Sequence, residues 1–569
     1  MRRWYYRGLI GVVAAIAMAV AGTPAGAAPP ARASRHMIAA ANPLAAAAGL
    51  DILRQGGSAV DAAIAAQMVL NLVEPQSSGI GGGGFMLHFD AASGETSAYD
   101  GRETAPAAET PDLFLDGQGK PLRFLDAVIG GRAVGVPGLL AMLARAHRDH
   151  GRLPWARLFA PAIALAEKGF AISPRLHQLI ARTPGLAAQA TARRYFLTPA
   201  LEAKPIGAIL VNPAFAATLK TIAQFGPARF YGGAIAADIV ATVRGASGNP
   251  GRLTMGDLAA YRAPVRPPVC RPYRQWRVCG MGPPSSGGVT TLEILGLLER
   301  FDLAALAPGS VDAVHLISEA SRLAYADRGR YLADSDFVAV PVAGLLDRGY
   351  LARRGAMIDP ARSLGRALPG TPAPAPAVVG APTTEGNQTT HLVVVDDAGN
   401  AVSMTSSVES AFGSRMMVRG FMLNNQLTDF SFRPVIDGAA VANRVAPGKR
   451  PRSSMAPTLV FDAKGRLKLA IGTPGGSRII AFVAEAVIAV LDWNLDVARA
   501  VALPHHVNRN GPTELEAGTA LEAIAPALAA RGAAVVVRRL NSGLHAIAVT
   551  ARGLEGGADP RREGVALGD

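Results

Sequence analysis

Apolar residues recur with helical spacing at the start of the folded part of the chain, and short continuous apolar runs follow them. Asn42-Pro43 is typical of a helix N-terminus, and the Ala/Leu/Ile run behind it ends at Gly56-Gly57. A second helix is predicted over residues 58–72. Residues 85–89 and 96–99 have the character of strands. This region therefore predicts two helices followed by two strands.

The middle of the chain is mostly helical in its periodicity. From about residue 134 to residue 243 the helical pattern is interrupted only by prolines and glycines, and further helices are predicted over 289–301 and 311–331. The glycine-rich segment 282–288 lacks the Gly-x-Ser-x-Gly order of a hydrolase nucleophile elbow. Its serines, Ser285 and Ser286, are therefore interpreted as helix caps and the region as scaffold.

A break in composition lies at residues 368–384, which contain five prolines. Such a tract is extended, so we expect the residues that follow it, Gln388-Thr389, to be accessible. Residues 389–396 and 401–407 are then predicted to be two strands of a hairpin. This hairpin would place Ser407 opposite the start of the first strand, where its hydroxyl could hydrogen-bond Thr389.

Gln388-Thr389-Thr390-His391, at the entry to this hairpin, has the features of a precursor cleavage site. A threonine hydroxyl is a poor nucleophile, and no His/Asp relay lies beside it in the sequence. Cleavage before Thr389 would free an α-amino group with a pKa of about 7.7 to 8.0, close to the pH at which a general base works best. The alternative is a polar loop that enters a strand, and it is the simpler interpretation of these residues alone.

Composition and charge narrow the class of protein. The chain has 569 residues, of which 50% are hydrophobic and 18% charged, as expected for a folded globular protein. Its formal charge of +14 comes mainly from scattered arginines, which argues against nucleic-acid binding. Gly79, Gly81 and Gly84 satisfy Gly-x-Gly-x-x-Gly, but they lie between a helix and a strand. A dinucleotide site needs the order strand, loop, helix, so this function is rejected.

The N-terminus has the pattern of a secretory signal peptide over residues 1–27. Three arginines precede the apolar run Leu9 to Val20, and Ala25-Gly26-Ala27 supplies small residues at a cleavage site. The run is too short for a transmembrane helix, and no later stretch reaches about 18 apolar residues without a charge. We expect an exported protein, periplasmic or secreted, with no membrane span in its mature form.

The two cysteines, Cys270 and Cys279, lie on short runs that flank a turn. Their sulfurs could face each other across a hairpin, and an oxidising compartment would permit a disulfide. Two buried thiols are the alternative. Two cysteines are too few for a metal cluster.

Several polar clusters have the chemistry that a site around Thr389 would need. They are Arg102, Gln426, Asp429, Ser453, Ser454 and the pair Gly475-Gly476. Guanidinium and hydroxyl groups could hold a carboxylate, carboxylate and amide oxygens could accept from an ammonium group, and adjacent glycine amides could form an oxyanion hole. Taken singly, each has a simpler local explanation: Arg102 as a surface residue paired with Glu103, and the others as turns, caps or bends.

Nine segments in the correct order resemble the γ-glutamyltransferase family, and together they extend over nearly the whole chain after the signal peptide. They are residues 61–63, 81–85, 100–103, 282–288, 388–391, 423–430, 450–455, 474–478 and 559–561. This family belongs to the N-terminal-nucleophile hydrolases. The resemblance therefore implies an α+β fold, a four-layer αββα sandwich, made as one chain that cuts itself into two subunits. On this likeness the cut lies between Gln388 and Thr389 and separates a large subunit, 28–388, from a small subunit, 389–569.

The resemblance also implies the role of each residue. Thr389 would attack the γ-carbonyl of a glutamyl amide such as glutathione, with its own α-amine moving the proton and Gly475-Gly476 holding the oxyanion. Water or the amine of an amino acid or peptide would then take the acyl group. Ser407 matches the family's second hydroxyl near the nucleophile. The residues that would hold the substrate α-carboxylate are Arg102, Ser453 and Ser454, and those that would face its α-ammonium are Glu409, Gln426 and Asp429. The resemblance implies no metal and no organic cofactor.

Two departures from the family pattern bear on the substrate. Glu409 stands where many of these transferases have Asn, and this changes the charge of the pocket. The segment 431–452 is shorter than the family's lid and contains no Tyr to close over the substrate, so water could enter and hydrolysis could dominate over transfer. Both features also resemble the related cephalosporin acylases, which remove a glutaryl or similar side chain, and such an activity is the alternative function. A catalytically silent exported binding protein with the same fold is the third hypothesis.

Overall fold

The computed structural model describes residues 29–381 and 383–569, and the predicted signal peptide lies outside this part of the chain. The helices are α1 (Pro43–Arg54), α2 (Ala59–Val73), α3 (Phe124–Val128), α4 (Leu139–His150), α5 (Ala160–Lys168), α6 (Pro174–Arg182), α7 (Ala190–Phe196), α8 (Pro213–Phe225), α9 (Ala228–Tyr231), α10 (Gly233–Arg244), α11 (Met255–Ala260), α12 (Gly287–Leu298), α13 (Val311–Tyr331), α14 (Val342–Leu345), α15 (Arg348–Gly355), α16 (Ile479–Leu491), α17 (Val497–Ala502) and α18 (Ala525–Ala530).

The strands are shorter and are distributed along the whole chain. They are β1 (Ala31–Ala33), β2 (Met37–Ala40), β3 (Gly83–Phe89), β4 (Thr96–Gly101), β5 (Phe170–Ala171), β6 (Ile209–Leu210), β7 (Val265–Arg266), β8 (Val269–Tyr273), β9 (Trp276–Gly280), β10 (Gln388–Val395), β11 (Ala401–Glu409), β12 (Met417–Val418), β13 (Phe421–Met422), β14 (Val435–Ile436), β15 (Ala439–Ala440), β16 (Thr458–Phe461), β17 (Leu467–Gly472), β18 (His506–Asn508), β19 (Thr513–Glu516), β20 (Val535–Arg538), β21 (His545–Thr550), β22 (Gly553–Ala558) and β23 (Val565–Gly568).

Two antiparallel sheets of seven strands form the centre of the molecule. The nucleophile sheet has the order β23-β2-β10-β11-β3-β4-β7, and the second sheet has the order β1-β22-β21-β17-β16-β9-β8. Strands β10 and β11 contact β17 of the opposite sheet, so the two sheets pack face to face. Every residue of β10 and β11 is buried, which explains the continuous apolar run Leu392 to Val395 of β10, where an alternating pattern would indicate one exposed face.

Helices cover both outer faces of the sandwich. α1 and α2 pack on the nucleophile sheet, and α12 and α16 pack on the second sheet. The four-layer αββα sandwich of the N-terminal-nucleophile hydrolases is thereby confirmed. In the described residues no helix is both long and apolar enough to span a membrane.

The predicted helix starts are confirmed by their caps. The Asn42 side chain accepts from the Leu44 amide at 2.9 Å before Pro43, and Ser58 and Asp61 form a reciprocal capping box at the start of α2. The interpretation of Ser286 as a side-chain cap is wrong. Ser286 precedes α12, but its hydroxyl donates to the Ser453 carbonyl at 2.6 Å, while Ser285 donates to the Met455 carbonyl at 2.6 Å. These serines connect α12 to the segment that carries Ser453 and Ser454.

The two cysteines form the predicted pair across a hairpin. Cys270 on β8 lies directly opposite Cys279 on β9, with 4.0 Å between the two Cα atoms, and their sulfurs are bonded. This hairpin is one edge of the second sheet, since β9 pairs with β16 while β8 is the last strand. The disulfide therefore joins the edge strand to its neighbour.

Candidate active site

An irregularity in the hairpin β10–β11 shapes the surroundings of Thr389. Gln388 pairs with Glu409 and Thr390 pairs with Ser406, so Ser407 and Val408 together lie opposite Thr389. Such a bulge bends the strand and redirects its side chains. Glu409 completes it with a left-handed backbone, φ +83°, which is uncommon for a residue other than glycine. As predicted, Ser407 lies opposite the start of the first strand.

The Ser407 hydroxyl connects the threonine to the peptide bond that precedes it. The Thr389 hydroxyl lies 3.4 Å from the Ser407 hydroxyl, which in turn donates to the Gln388 carbonyl oxygen at 2.8 Å. The Glu409 amide donates to the Ser407 oxygen at 2.8 Å and fixes its position. Thr389 is 4% exposed, so its hydroxyl, the Ser407 hydroxyl and the Gln388 carbonyl meet in a nearly dry environment.

Charged residues that sequence reasoning missed hold the main chain around Thr389 from the other side. Arg562 donates to the Thr389 carbonyl at 3.0 Å, and Arg175 donates to the Gln388 side-chain oxygen at 2.9 Å. Glu74 accepts from the Thr390 hydroxyl at 3.2 Å, and burial raises the pKa of Glu74. Arg562 directly follows the matched segment 559–561, and this position in the sequence could have indicated that it belongs to the site.

The glycine pair lies where the chain must approach another backbone closely. Gly475 and Gly476 have φ values of +142° and +61°, conformations that favour glycine. A β-carbon on Gly476 would come within 2.1 Å of the Gly386 carbonyl oxygen. Gly476 lines the same small pocket as Thr389 and Ser407, whereas Gly475 packs against Phe482 beside it. Only Gly476 of the pair therefore reaches the pocket wall.

Arg102 is fully buried, so its interpretation as a surface residue is wrong. Its guanidinium donates to Asp429 at 2.5 Å and to the carbonyl groups of Pro451 and Arg452 at 3.0 Å each, and it lies behind the pocket wall. Burial raises the pKa of the neighbouring Glu103 to about 8. The Arg102 Nη1 atom lies 3.6 Å from the Glu103 carboxylate, so the expected pairing of these two residues is present, although it is buried. Among the described residues no partner hydrogen-bonds the Asp429 Oδ1 atom or the Gln426 Oε1 atom, so two acceptors are left open within a single cluster.

Ser454 of the serine pair contacts the carboxylate of Glu385, which directly follows the proline-rich tract 368–384. Ser454 and Arg328 each lie 2.5 Å from the Glu385 carboxylate, and Ser454 and Arg328 are themselves 2.6 Å apart. Burial raises the pKa of Glu385, but Arg328 and Arg452 outweigh it and lower the pKa to about 2. Ser453 lines the pocket and its hydroxyl accepts from the Met455 amide at 3.1 Å. Arg328 belongs to α13, which the sequence analysis predicted as a helix without a role in the site.

Glu409 also binds this segment. Its carboxylate accepts from the Gly386 amide, from Ser410 at 2.7 Å and from Asn425 at 2.5 Å, and burial raises the pKa of Glu409. Burial likewise raises the pKa of Asp429 well above its ordinary value. Residues 385 and 386 therefore fill the pocket, which retains a cavity of only about 20 Å³. That volume holds about one water molecule.

The structure thus brings together Thr389, Ser407, Glu409, Gln426, Asp429, Ser453, Ser454 and Gly476, with Gly475 and Arg102 immediately behind them. The short segment 431–452 packs beside them, where the Ala442 amide donates to Val379 of the proline-rich segment at 2.9 Å. Within residues 29–381 and 383–569, no group of three or more His, Cys, Asp or Glu side chains is arranged to hold a metal ion.

Comparisons with known proteins identify similar chains along nearly the full length. The family model described as gamma-glutamyltranspeptidase matches residues 45–569. The glutathione hydrolase proenzyme of Escherichia coli (strain K12) is 38% identical over 549 residues, which are 94% of this chain and 91% of the relative. The acylase ACY 1 proenzyme of Pseudomonas sp. (strain V22) is 37% identical over 553 residues, 94% of each chain. The solved structure of a cephalosporin acylase from Bacillus halodurans is 28% identical with a TM-score of 0.83, and the match covers 97% of this chain and 99% of that one.

Proposed function

The chain belongs to the γ-glutamyltranspeptidase family, and from that premise we propose that it is a γ-glutamyl transferase and glutathione hydrolase that cuts itself before Thr389. The cut would separate residues 28–388 from residues 389–569, and the two pieces would remain together as a heterodimer. The basic and apolar pattern of residues 1–27 supports export, to the periplasm in a host with two membranes.

The contacts around Gln388 support a direct route for self-cleavage. The Thr389 hydroxyl oxygen attacks the Gln388 carbonyl carbon, and the Ser407 hydroxyl, 2.8 Å from that carbonyl oxygen, stabilises the negative charge that develops there. The bond from the Gln388 carbon to the Thr389 nitrogen breaks, the nitrogen takes up the proton from the hydroxyl, and an ester remains. Water then cleaves the ester, which leaves Gln388 as a carboxylate and Thr389 with a free amine and hydroxyl.

The same groups then act on the donor. The Thr389 amine takes the hydroxyl proton while the oxygen attacks the γ-carbonyl carbon, and the Gly475-Gly476 segment holds the oxyanion. The amide nitrogen of the donor leaves with that proton, and a γ-glutamyl ester of Thr389 forms. Water releases glutamate, or an amine takes the acyl group. Residues 385 and 386 must first withdraw, because the pocket they fill has no room for a donor.

The observation that carries the γ-glutamyl assignment is the set of open groups at the far end of the pocket. A γ-glutamyl donor brings an α-carboxylate for the serine pair, with the Arg102 charge behind it, and an α-ammonium for Asp429, Gln426 and Glu409. A glutaryl donor lacks the ammonium, so the Asp429 Oδ1 and Gln426 Oε1 atoms would keep no hydrogen-bond donor, which is costly. The charge of the pocket therefore favours γ-glutamyl amides over the glutaryl donors of the acylase alternative.

Self-cleavage is tested on a denaturing gel. We expect purified protein to give two bands of about 37 and 19 kDa, in proportion to the residues on each side of the cut. Thr389→Ala removes the nucleophile, so it should leave one band and no activity. Thr390→Ala is the matched control, because the Thr390 hydroxyl contacts Glu74 and should leave cleavage intact. A single full-length band that persists in the unaltered protein would support the silent binding protein.

The donor is identified by comparing a γ-glutamyl anilide with a glutaryl anilide, which differ only in the α-amino group. We expect kcat/KM to be at least tenfold higher for the γ-glutamyl compound, since each buried acceptor left without a donor costs about 1–3 kcal/mol and a tenfold ratio represents about 1.4 kcal/mol. A preference for the glutaryl anilide would establish the acylase activity instead.

A further inference from the structure

The segment 385–388 directly precedes the proposed cut, and each of its four residues forms a hydrogen bond with a partner outside the segment. The four pairs are Glu385 with Arg328, Gly386 with Glu409, Asn387 with Asn541, and Gln388 with Arg175. The segment is therefore attached along its whole length, although it follows an extended proline-rich tract.

Glu385 is the only residue of this segment that carries a charge. Its carboxylate lies 2.5 Å from Arg328 and accepts from the Ser454 hydroxyl at the same distance. The side chains of Arg328 and Glu385 are 7% and 6% exposed, so the ion pair is shielded from water. Hydrogen bonds between charged groups are roughly twice as strong as those between neutral groups. Glu385 therefore makes a strong attachment at the far end of the segment.

Arg328, the partner of Glu385, is itself held in place. Its Nε atom donates at 2.8 Å to the hydroxyl of Ser286, which directly precedes α12. Ser286 in turn donates to the Ser453 carbonyl, beside Ser454. Arg328 belongs to α13, so its guanidinium is fixed between two helices and the serine pair. It is a stationary point to which the segment is attached.

The other end of the segment carries the peptide bond that is to be cut. The Ser407 hydroxyl donates to the Gln388 carbonyl oxygen at 2.8 Å and lies 3.4 Å from the Thr389 hydroxyl. Only residues 386–388 separate Glu385 from this bond, so a displacement of Glu385 reaches the carbonyl group. Loss of freedom before the reaction begins favours attack, because the reacting atoms are already close together.

We propose that Glu385 is a positioning residue for self-cleavage, which acts through its ion pair with Arg328. The pair fixes the start of the segment 385–388, so the carbonyl group at the cut stays within reach of the Thr389 hydroxyl. Glu385 touches neither reacting atom. This inference rests on the proposed self-cleavage and adds a residue that controls its rate.

The test follows self-cleavage of newly made chains. The protein is produced by cell-free synthesis, synthesis is stopped, and the conversion of full-length chain into two fragments is followed on a denaturing gel. Glu385→Gln removes the charge and keeps the shape, so it should slow conversion about ten- to hundredfold, the range for loss of a hydrogen bond between charged groups. Glu385→Asp keeps the charge and should be cut faster than Glu385→Gln.

Glu319→Gln is the matched control. Glu319 is buried on the same helix as Arg328, and it accepts from Arg322 at 3.2 Å and from the Ser363 hydroxyl at 2.8 Å. It therefore has the same kinds of partner as Glu385 but does not hold the segment before the cut. Glu319→Gln should leave the rate of conversion unchanged. Equal slowing in Glu319→Gln and Glu385→Gln would contradict the proposal, because the effect would then be one of general stability.

A second measurement tests whether Glu385 acts through Arg328. Arg328→Gln should also slow conversion, and the double variant Arg328→Gln/Glu385→Gln should be no slower than the slower single variant, because the two residues form one contact. Effects that multiply in the double variant, or conversion of Glu385→Gln at the unaltered rate, would overturn the proposal. If the unaltered chain is never cut, the proposed function itself fails, whatever the variants do.

Discussion

Arg562 is held entirely by main-chain carbonyl groups. Its guanidinium nitrogens donate to Ser542 at 2.8 Å, to Thr389 at 3.0 Å and to Asn541 at 3.1 Å, and burial lowers the pKa of Arg562 to about 9. A β-carbon on the neighbouring Gly543 would meet both Arg562 and Pro474, which precedes the glycine pair. Arg562 thus connects β10 to the segment that carries the proposed oxyanion turn.

A positive charge in this position should also affect the freed Thr389 amine. The amine belongs to the residue whose carbonyl Arg562 binds, and a nearby cation lowers the pKa of an amine because it disfavours the protonated form. Arg562→Met should therefore raise this pKa and move the acid limb of the pH profile of kcat/KM to higher pH, by about half a unit to one unit. Arg562→Lys retains the positive charge, so the acid limb of the pH profile should stay at the same pH while kcat is reduced.

The other charged groups around this position are Glu74, Arg175, Asp559 and Glu563. They are unchanged in both variants, so the comparison isolates Arg562. An acid limb that stays in place in Arg562→Met, together with a lower kcat, would reduce the role of Arg562 to holding the backbone.

At the scale of elements, the hairpin β8–β9 depends on its disulfide, because β8 is an edge strand with one neighbour. The double variant Cys270→Ser/Cys279→Ser should lower the free energy of unfolding by about 2–3 kcal/mol, the value for a closed loop of about ten residues. Chemical unfolding of the uncut Thr389→Ala chain measures this. Reduction of the disulfide without substitution should give the same loss, and equal midpoints before and after reduction would contradict the prediction.

Local signals explain which elements could be predicted from the sequence. Asn42-Pro43 and Ser58 start α1 and α2 as expected, and α13 has the predicted bounds, because caps and helical spacing are properties of neighbouring residues. The hairpin β10–β11 was predicted for the same reason. Its bulge at Ser407 and Val408 was not, since it depends on the register between strands.

The site was predictable only in part. Thr389 and the serine and glycine pairs lie in the ordered segments that resemble the family, and Ser407 was placed beside Thr389 by the predicted hairpin. Three features could not be predicted from the sequence: the burial of Arg102, the contacts of Arg328 and the pairing of Glu385 with Ser454. Each depends on contacts between residues more than 50 positions apart. A side chain's partner at such separation is set by the packing of the whole sandwich.

At the scale of the whole molecule, buried neutral histidines make stability depend on pH. Burial lowers the pKa of His545 to about 4, against about 6.5 in an unfolded chain. The unfolded state therefore binds more protons between these values. The stability that His545 contributes is complete above pH of about 6.5 and is lost as the pH falls toward about 4.

His545→Asn should flatten this dependence. Between pH 7 and pH 4 the unfolding free energy of the unaltered protein should fall by up to about 3 kcal/mol more than that of the variant. Chemical unfolding of both proteins in the uncut Thr389→Ala background measures the difference at each pH. Parallel curves for the two proteins would show that His545 does not titrate in this range.

The order of strands determines whether the cleaved protein can refold after it has unfolded. In the first sheet β2 and β3, from before residue 389, flank β10 and β11, from after it. In the second sheet β1 and β9, from before it, flank a central block of four strands from after it. Once the peptide bond is cut, each sheet contains strands from both fragments. Unfolding then separates two chains that no longer have a covalent link, so the cleaved protein does not refold into the same sandwich. The lifetime of the cleaved protein is then governed by the rate at which the sandwich first opens rather than by an equilibrium between folded and unfolded forms.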